Sequence, residues 1–166
     1  MHYDRWDAMG AGLRVERVDE PSGVLIRLHG VVDENTDLSF FRALHGSVQL
    51  HLRGLHRINS YGVRSWMAAI SAMAPDVELE LVECPVPMVD QMNQLRGFVG
   101  RARVRSFLGP YICERCGTED EIVIRVDDCR RNGVRLPDDV TCPRCRKRME
   151  PDVVESLYLR FVREMA

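Results

Sequence analysis

Four of the six cysteines stand in two matched pairs, Cys113-Glu-Arg-Cys116 and Cys142-Pro-Arg-Cys145. A spacing of two lets one tight turn present both sulfurs while backbone amides hydrogen-bond them. Four thiolates are the soft donor set that a zinc ion in a structural site takes as a tetrahedron. Gly117 follows the first pair, where the turn calls for a positive φ. The intervening residues 117–141 are enough for strands to carry the second turn opposite the first. Four cysteines close the metal's shell, so the chemistry expected of one zinc here is structural rather than catalytic.

This layout resembles a zinc ribbon over residues 110–150. Thioredoxin-like redox chemistry instead needs one such pair at a helix start, where the dipole lowers a thiol pKa. Disulfides fit poorly with a charged start, MHYDRWDAMG, that lacks the apolar centre of a signal peptide, so a cytoplasmic protein is expected. Cys84 and Cys129 stand alone and read as packed thiols. Arg115, Arg144, Arg146 and Lys147 flank the ligands and would offset the net −2 of a zinc tetrathiolate. About forty residues hold too small a core to fold unaided, so metal binding would supply much of their folding energy.

A second stretch with chemical potential is GLHRINSYGVRSW, residues 54–66. A strand pattern runs into Asn59-Ser60, then Tyr61-Gly62, then helical spacing. A small polar residue at a helix start caps it by accepting a backbone N–H bond. The same end carries unsatisfied N–H groups and a positive dipole, which suit a phosphate.

The elements that position these residues follow from hydrophobic periodicity. VLIRLHG, VQLHL and VELEL alternate apolar and polar residues, and LRVERV (13–18) and RVRSFL (103–108) are weaker strands of the same kind. One polar face per strand describes a sheet covered mainly on one side. Helical spacing appears over residues 36–45, behind caps at Asn35 or Thr36, and over 61–74 and 86–96. The predicted order is β-β-α-β-α-β-α-β. After Gly109-Pro110 come the cysteine-bearing section, with a strand EIVIRV and a turn-rich RRNGVRLPDD, and an amphipathic helix over 152–165. The division expected is 1–109, 110–150 and 151–166, in the α/β class.

That order, with Gly54 in a turn, Ile58 before the pair, Ser60 and Gly62, resembles a STAS domain over residues 12–109. This family is named from sulphate transporters and anti-sigma factor antagonists. Its recurrent stretch is a strand, a Gly-containing turn and Asp-Ser-x-Gly opening a helix. The resemblance implies a mixed sheet with helices mainly on one face and a non-enzymatic bacterial module for protein–protein interaction. In partner-switching members a kinase phosphorylates the motif serine, and the unphosphorylated form binds that kinase and frees another factor. Ser60 is the position that carries this over, with Arg57, Asn59, Tyr61, Arg64 and Ser65 as the implied partner surface. Asn59 stands where the family has Asp and Tyr61 where a small residue is usual. A cap needs neither, so capping is the expected role of the pair and phosphorylation the signalling alternative.

A charged fraction of 29% and a net charge of −2 describe a globular chain, not a polyanion binder. No apolar run approaches a bilayer's thickness. The partners left open are a kinase or anti-sigma-type regulator and a second copy of the chain. The other reading is a zinc-ribbon transcriptional regulator gripping nucleic acid through Arg101, Arg103, Arg105, Arg130, Arg131, Arg144 and Arg146. No nucleophile–base pair or phosphate loop points to an enzyme.

Overall fold

The strand alternation becomes a two-faced sheet in the computed structural model, which describes residues 3–6 and 12–165. The start of the expected 1–109 domain, including most of the charged opening stretch, lies outside the described residues. Strands β1 (Tyr3–Trp6), β2 (Leu13–Glu20), β3 (Gly23–Val32), β4 (Ser47–Ile58), β5 (Glu78–Val82) and β6 (Arg103–Val104) lie side by side in chain order. The first three are antiparallel, and β3 through β6 are parallel. Each parallel crossover steps the same way along the sheet. Right-handed connections therefore place the intervening helices on one face.

Burial agrees with that geometry. Ile26, Leu28, Val48, Leu50, Leu52, Leu79 and Leu81 are buried, while Arg27, Gln49, Arg53 and Glu78 on the other face are exposed. The helical side carries a 3-10 helix at Ser39–Ala43, α1 (Ser60–Ser71) and α2 (Val86–Gln94). Trp66 of α1 is fully buried, edge-on to Phe41 at 5.6 Å and stacked on Phe98 at 5.9 Å. Its indole N–H donates to the Phe98 carbonyl at 3.2 Å, which satisfies the one polar atom it takes inside.

Several elements differ from the sequence expectation for identifiable reasons. The helix expected over 36–45 shrinks to the 3-10 helix, because Thr36 is spent on the preceding turn. Its hydroxyl receives the Asp33 N–H at 2.9 Å, and the Asp37 carboxylate takes the Ser39 N–H at 2.8 Å. Gly54 is inside β4 rather than in a turn. It sits at a register shift opposite His29, where a Cβ would lie 2.2 Å from the imidazole Nδ1. Only glycine gives the ring room.

The strand expected over 103–108 breaks at Arg105. β6 ends there, and β7 (Ser106–Ile112) enters a second sheet between β8 (Glu119–Arg125) and β9 (Glu150–Pro151). The boundary expected at 109/110 thus falls inside β7. Cys84 stitches the two sheets: its N–H donates to Ser106 at 3.1 Å and its carbonyl receives Leu108 N–H at 2.9 Å. A short α3 (Val126–Arg131) follows β8, running from the last residue of the expected strand EIVIRV into the start of the stretch RRNGVRLPDD expected as turns. Apolar residues of both sheets join in one core.

The expected terminal helix is split at Leu159 into α4 (Glu155–Tyr158) and α5 (Arg160–Glu164). The cause is Asn93 at the end of α2. Its amide donates to the Tyr158 carbonyl at 3.0 Å and accepts the Phe161 N–H at 2.8 Å, taking both groups freed by the break. The Tyr158 hydroxyl donates to the Leu108 carbonyl at 2.6 Å, and Phe107 packs on Phe161 at 5.3 Å. No described helix is long and apolar enough to cross a membrane. Asn93→Ala would orphan two part-buried backbone groups and is expected to cost about 2 kcal/mol in denaturant unfolding.

Candidate functional site

The two C-x-x-C segments fold into the same turn. In the first, Cys113 follows β7, its N–H donates to Thr118 O at 2.9 Å, and its carbonyl receives Gly117 N–H at 2.8 Å. In the second, Cys142 N–H donates to Lys147 O at 2.8 Å, and its carbonyl receives Arg146 N–H at 3.0 Å. Both turns need a left-handed residue after the second cysteine: Gly117 at φ 68° and Arg146 at φ 60°. The first turn is the tip of the β7–β8 hairpin. The second is closed by a bridge between Thr141 and Arg148.

The turns face each other. All four sulfurs lie within 4.8 Å of one another. Close contacts run across the turns, Cys113 to Cys145 at 3.4 Å and Cys116 to Cys142 at 3.6 Å. Metal–sulfur bonds of about 2.3 Å give a tetrahedron with edges of about 3.8 Å. A disulfide needs about 2.05 Å, and none of the cysteines is bonded to another. The donor set therefore fits one tetrahedral, thiophilic divalent ion.

The sulfurs are tuned unequally. The Thr118 hydroxyl, 3.2 Å away, and its N–H pull the Cys116 thiol down to about 6. Backbone N–H groups of Cys145 and Arg144 lower Cys142. Cys145 is held up at about 11: its bond from the Lys147 amide is outweighed by burial and by hydrogen bonds with the other three sulfurs. Closely packed thiols resist shedding their last proton, and a cation at the centre removes that resistance.

Cys129 stays outside the cluster, buried with its thiol on the Arg135 carbonyl at 3.5 Å, and burial raises its pKa. Cys84 is fully buried between the sheets, which also raises its thiol. Neither is placed to ligate.

At the other sequence-marked junction, the structure separates the roles of Asn59 and Ser60. Asn59 is the cap: its side-chain oxygen accepts Gly62 N–H at 2.9 Å. Ser60 is the first helical residue, exposed, with no side-chain hydrogen bond among the described residues. The serine expected as a cap is thus left free. Gly62 is required by proximity, since a Cβ there would lie 2.1 Å from the Val32 carbonyl. That contact seats the helix start against the end of β3.

The residues expected at a partner surface differ in exposure. Arg57, Ser60, Tyr61 and Arg64 are exposed, and the Arg64 guanidinium lies 5.4 Å from the Tyr61 ring centre. Ser65 is half-buried and lines a cleft of about 320 Å³ with Thr36, Ser39 and Arg42. Sequence reasoning missed Glu34, whose carboxylate accepts the Asn59 amide at 2.7 Å. It comes from the β3 loop, and no local spacing signals it.

Comparison with family models, with curated proteins and with solved structures gave no match. Asn59→Ala is expected to destabilise the protein by about 1 kcal/mol through loss of the cap, with Ser60→Ala near neutral; chemical denaturation checks both.

Proposed function

We propose that the chain is a non-enzymatic regulatory module of bacterial type, in which a STAS-like domain binds a protein partner and a structural zinc ion holds the C-terminal ribbon. The observation that carries the reading is Ser60. It stands exposed at the first turn of α1, uncommitted to capping, on a helix start seated by Gly62. Its neighbours Arg57, Tyr61 and Arg64 give a partner both charge and an aromatic face.

A phosphate on Ser60 would meet the amide dipoles of the first turn, which favour it. It would also place roughly −1.5 to −2 charge beside Glu34, on a surface that a partner reads. The modification is thus tolerated by the fold and felt by whatever docks there. That is how a serine switch works without rearranging its own domain. The partner class is a kinase or an anti-sigma-type regulator.

The four-sulfur centre supports zinc through its tetrahedral donor set, closed shell and N–H bonds onto sulfur. Nucleic-acid binding through the wider arginine set has less support. Arg103 pairs with Asp127 at 3.6 Å, Arg105 with Glu80 at 3.6 Å, and Arg131 with Asp128. Arg101 and Arg130 donate to backbone carbonyls.

Affinity capture with the wild-type chain, followed by titration of the captured partner against Ser60→Ala and Ser60→Asp, tests the switch. Ser60→Asp is expected to weaken binding at least about tenfold, with Ser60→Ala unchanged. Equal affinity for all three would contradict it.

A further inference from the structure

The two metal-binding turns share their hydrogen bonds but differ at the left-handed position. Gly117 occupies it in the first turn and Arg146 in the second, at φ 68° and 60°. An L residue is disfavoured there because its Cβ crowds the backbone carbonyl, whereas glycine is not. The Arg146 side chain is exposed and joins no ion pair among the described residues, so nothing shown in the fold uses its charge. Strain kept where the fold gains nothing points to a functional residue.

Arg146 is not alone. Arg115 and Arg144 hold matching places in the two turns, and Lys147 follows Arg146. All are exposed and outside the ion pairs of the described residues. Convergence of the four sulfurs brings the two turns together, and these four cations stand on those turns. Two cations would balance a zinc tetrathiolate of charge −2, so four exceed what neutralisation needs. Glu114 is the acidic residue within the turns. Guanidinium groups favour bidentate pairing with planar oxyanions.

We propose that the tip of the metal-binding turns docks a short carboxylate-rich segment of a partner protein, with Arg115, Arg144, Arg146 and Lys147 as its contacts. The inference rests on the metal-centre reading and adds a surface separate from Ser60. Flanking charge selects a peptide over nucleic acid. Exposed Glu119 and Glu121 leave the first turn, and exposed Asp138, Asp139, Glu150 and Asp152 flank the second. A duplex, with a phosphate every ~1.7 Å of its axis, would lie across those carboxylates. A short acidic segment touches the tip alone.

The test uses the full-length, zinc-loaded chain and fluorescence anisotropy at low salt. The probes are a labelled peptide of alternating Asp and Glu and a labelled short DNA duplex. The wild type is expected to bind the peptide more tightly than the duplex, with affinity falling as salt rises. The Arg144→Glu/Arg146→Glu variant is expected to bind the peptide at least about tenfold more weakly with zinc per chain unchanged. Arg146→Gly is expected to raise the melting temperature while weakening the peptide; a purely structural arginine would lower the melting temperature.

Unchanged peptide affinity in the double variant, or tighter binding of the duplex, would overturn the proposal. Loss of zinc together with binding in that variant would also overturn it, because the arginines would then only balance the thiolates. A wild-type chain that carries no zinc removes the metal reading as well, whereas a zinc-bearing chain that ignores the peptide removes this one alone.

Discussion

Four sulfurs within 4.8 Å of one another bring the tip of the β7–β8 hairpin against a segment that has few other anchors. Between the end of α3 and the start of β9, residues 132–149 form no helix or strand. A stretch that long without regular structure pays backbone entropy without a ladder of hydrogen bonds in return. Its anchors are few: buried Leu136, Val140 and Met149, the Tyr111 hydroxyl on the Pro137 carbonyl at 2.8 Å, and Leu136 N–H on the Glu155 carboxylate at 2.9 Å. With an ion at its centre, the sulfur cluster would add a second tie to the β7–β8 hairpin, at the hairpin's tip.

From that tie the chain runs back to the main sheet. The second turn leads within a few residues to β9, which pairs with β7, and then to α4 and α5. Those helices are keyed to α2 by Asn93 and to β7 by Tyr158 and Phe161. β7 itself is bonded to the main sheet through Cys84. The ribbon is therefore built into the larger domain rather than tethered beside it. The Ser60 surface lies on a different element, α1, whose seat is set by Gly62 against Val32.

The readable parts of the fold were those fixed by neighbours in sequence. Alternation in β3, β4 and β5 gave their inward faces, because a sheet covered on one side imposes period two. The helical spacing over 61–74 gave the buried face of α1, on which Val63, Trp66 and Ile70 lie. The cysteine spacing gave the four sulfurs that converge, because one turn dictates it. Failures came where distant groups decide. Gly54 reads as a turn residue, yet it is a strand position emptied for the His29 ring. Gly109-Pro110 reads as a break, yet the Pro110 carbonyl takes Asp152 N–H at 2.9 Å within β7. The division of the last helix is set by Asn93, remote in sequence. For α3 a local signal did exist: Asp127 and Asp128 at its start and Arg130 and Arg131 at its end suit the helix dipole. Of the pair Asn59-Ser60, expected to cap α1, Asn59 alone does so, because adjacent polar residues compete for one cap and only geometry awards it.

Hydrogen exchange on the purified chain, with zinc per chain measured alongside, tests the dependence on the sulfur cluster most directly. One zinc per chain is predicted, and a strong chelator should strip amide protection from residues 132–149 and from both cysteine turns while α1 and β4 stay protected. A protein without bound metal, or one whose protection over 132–149 survives complete removal of the ion, would contradict the account.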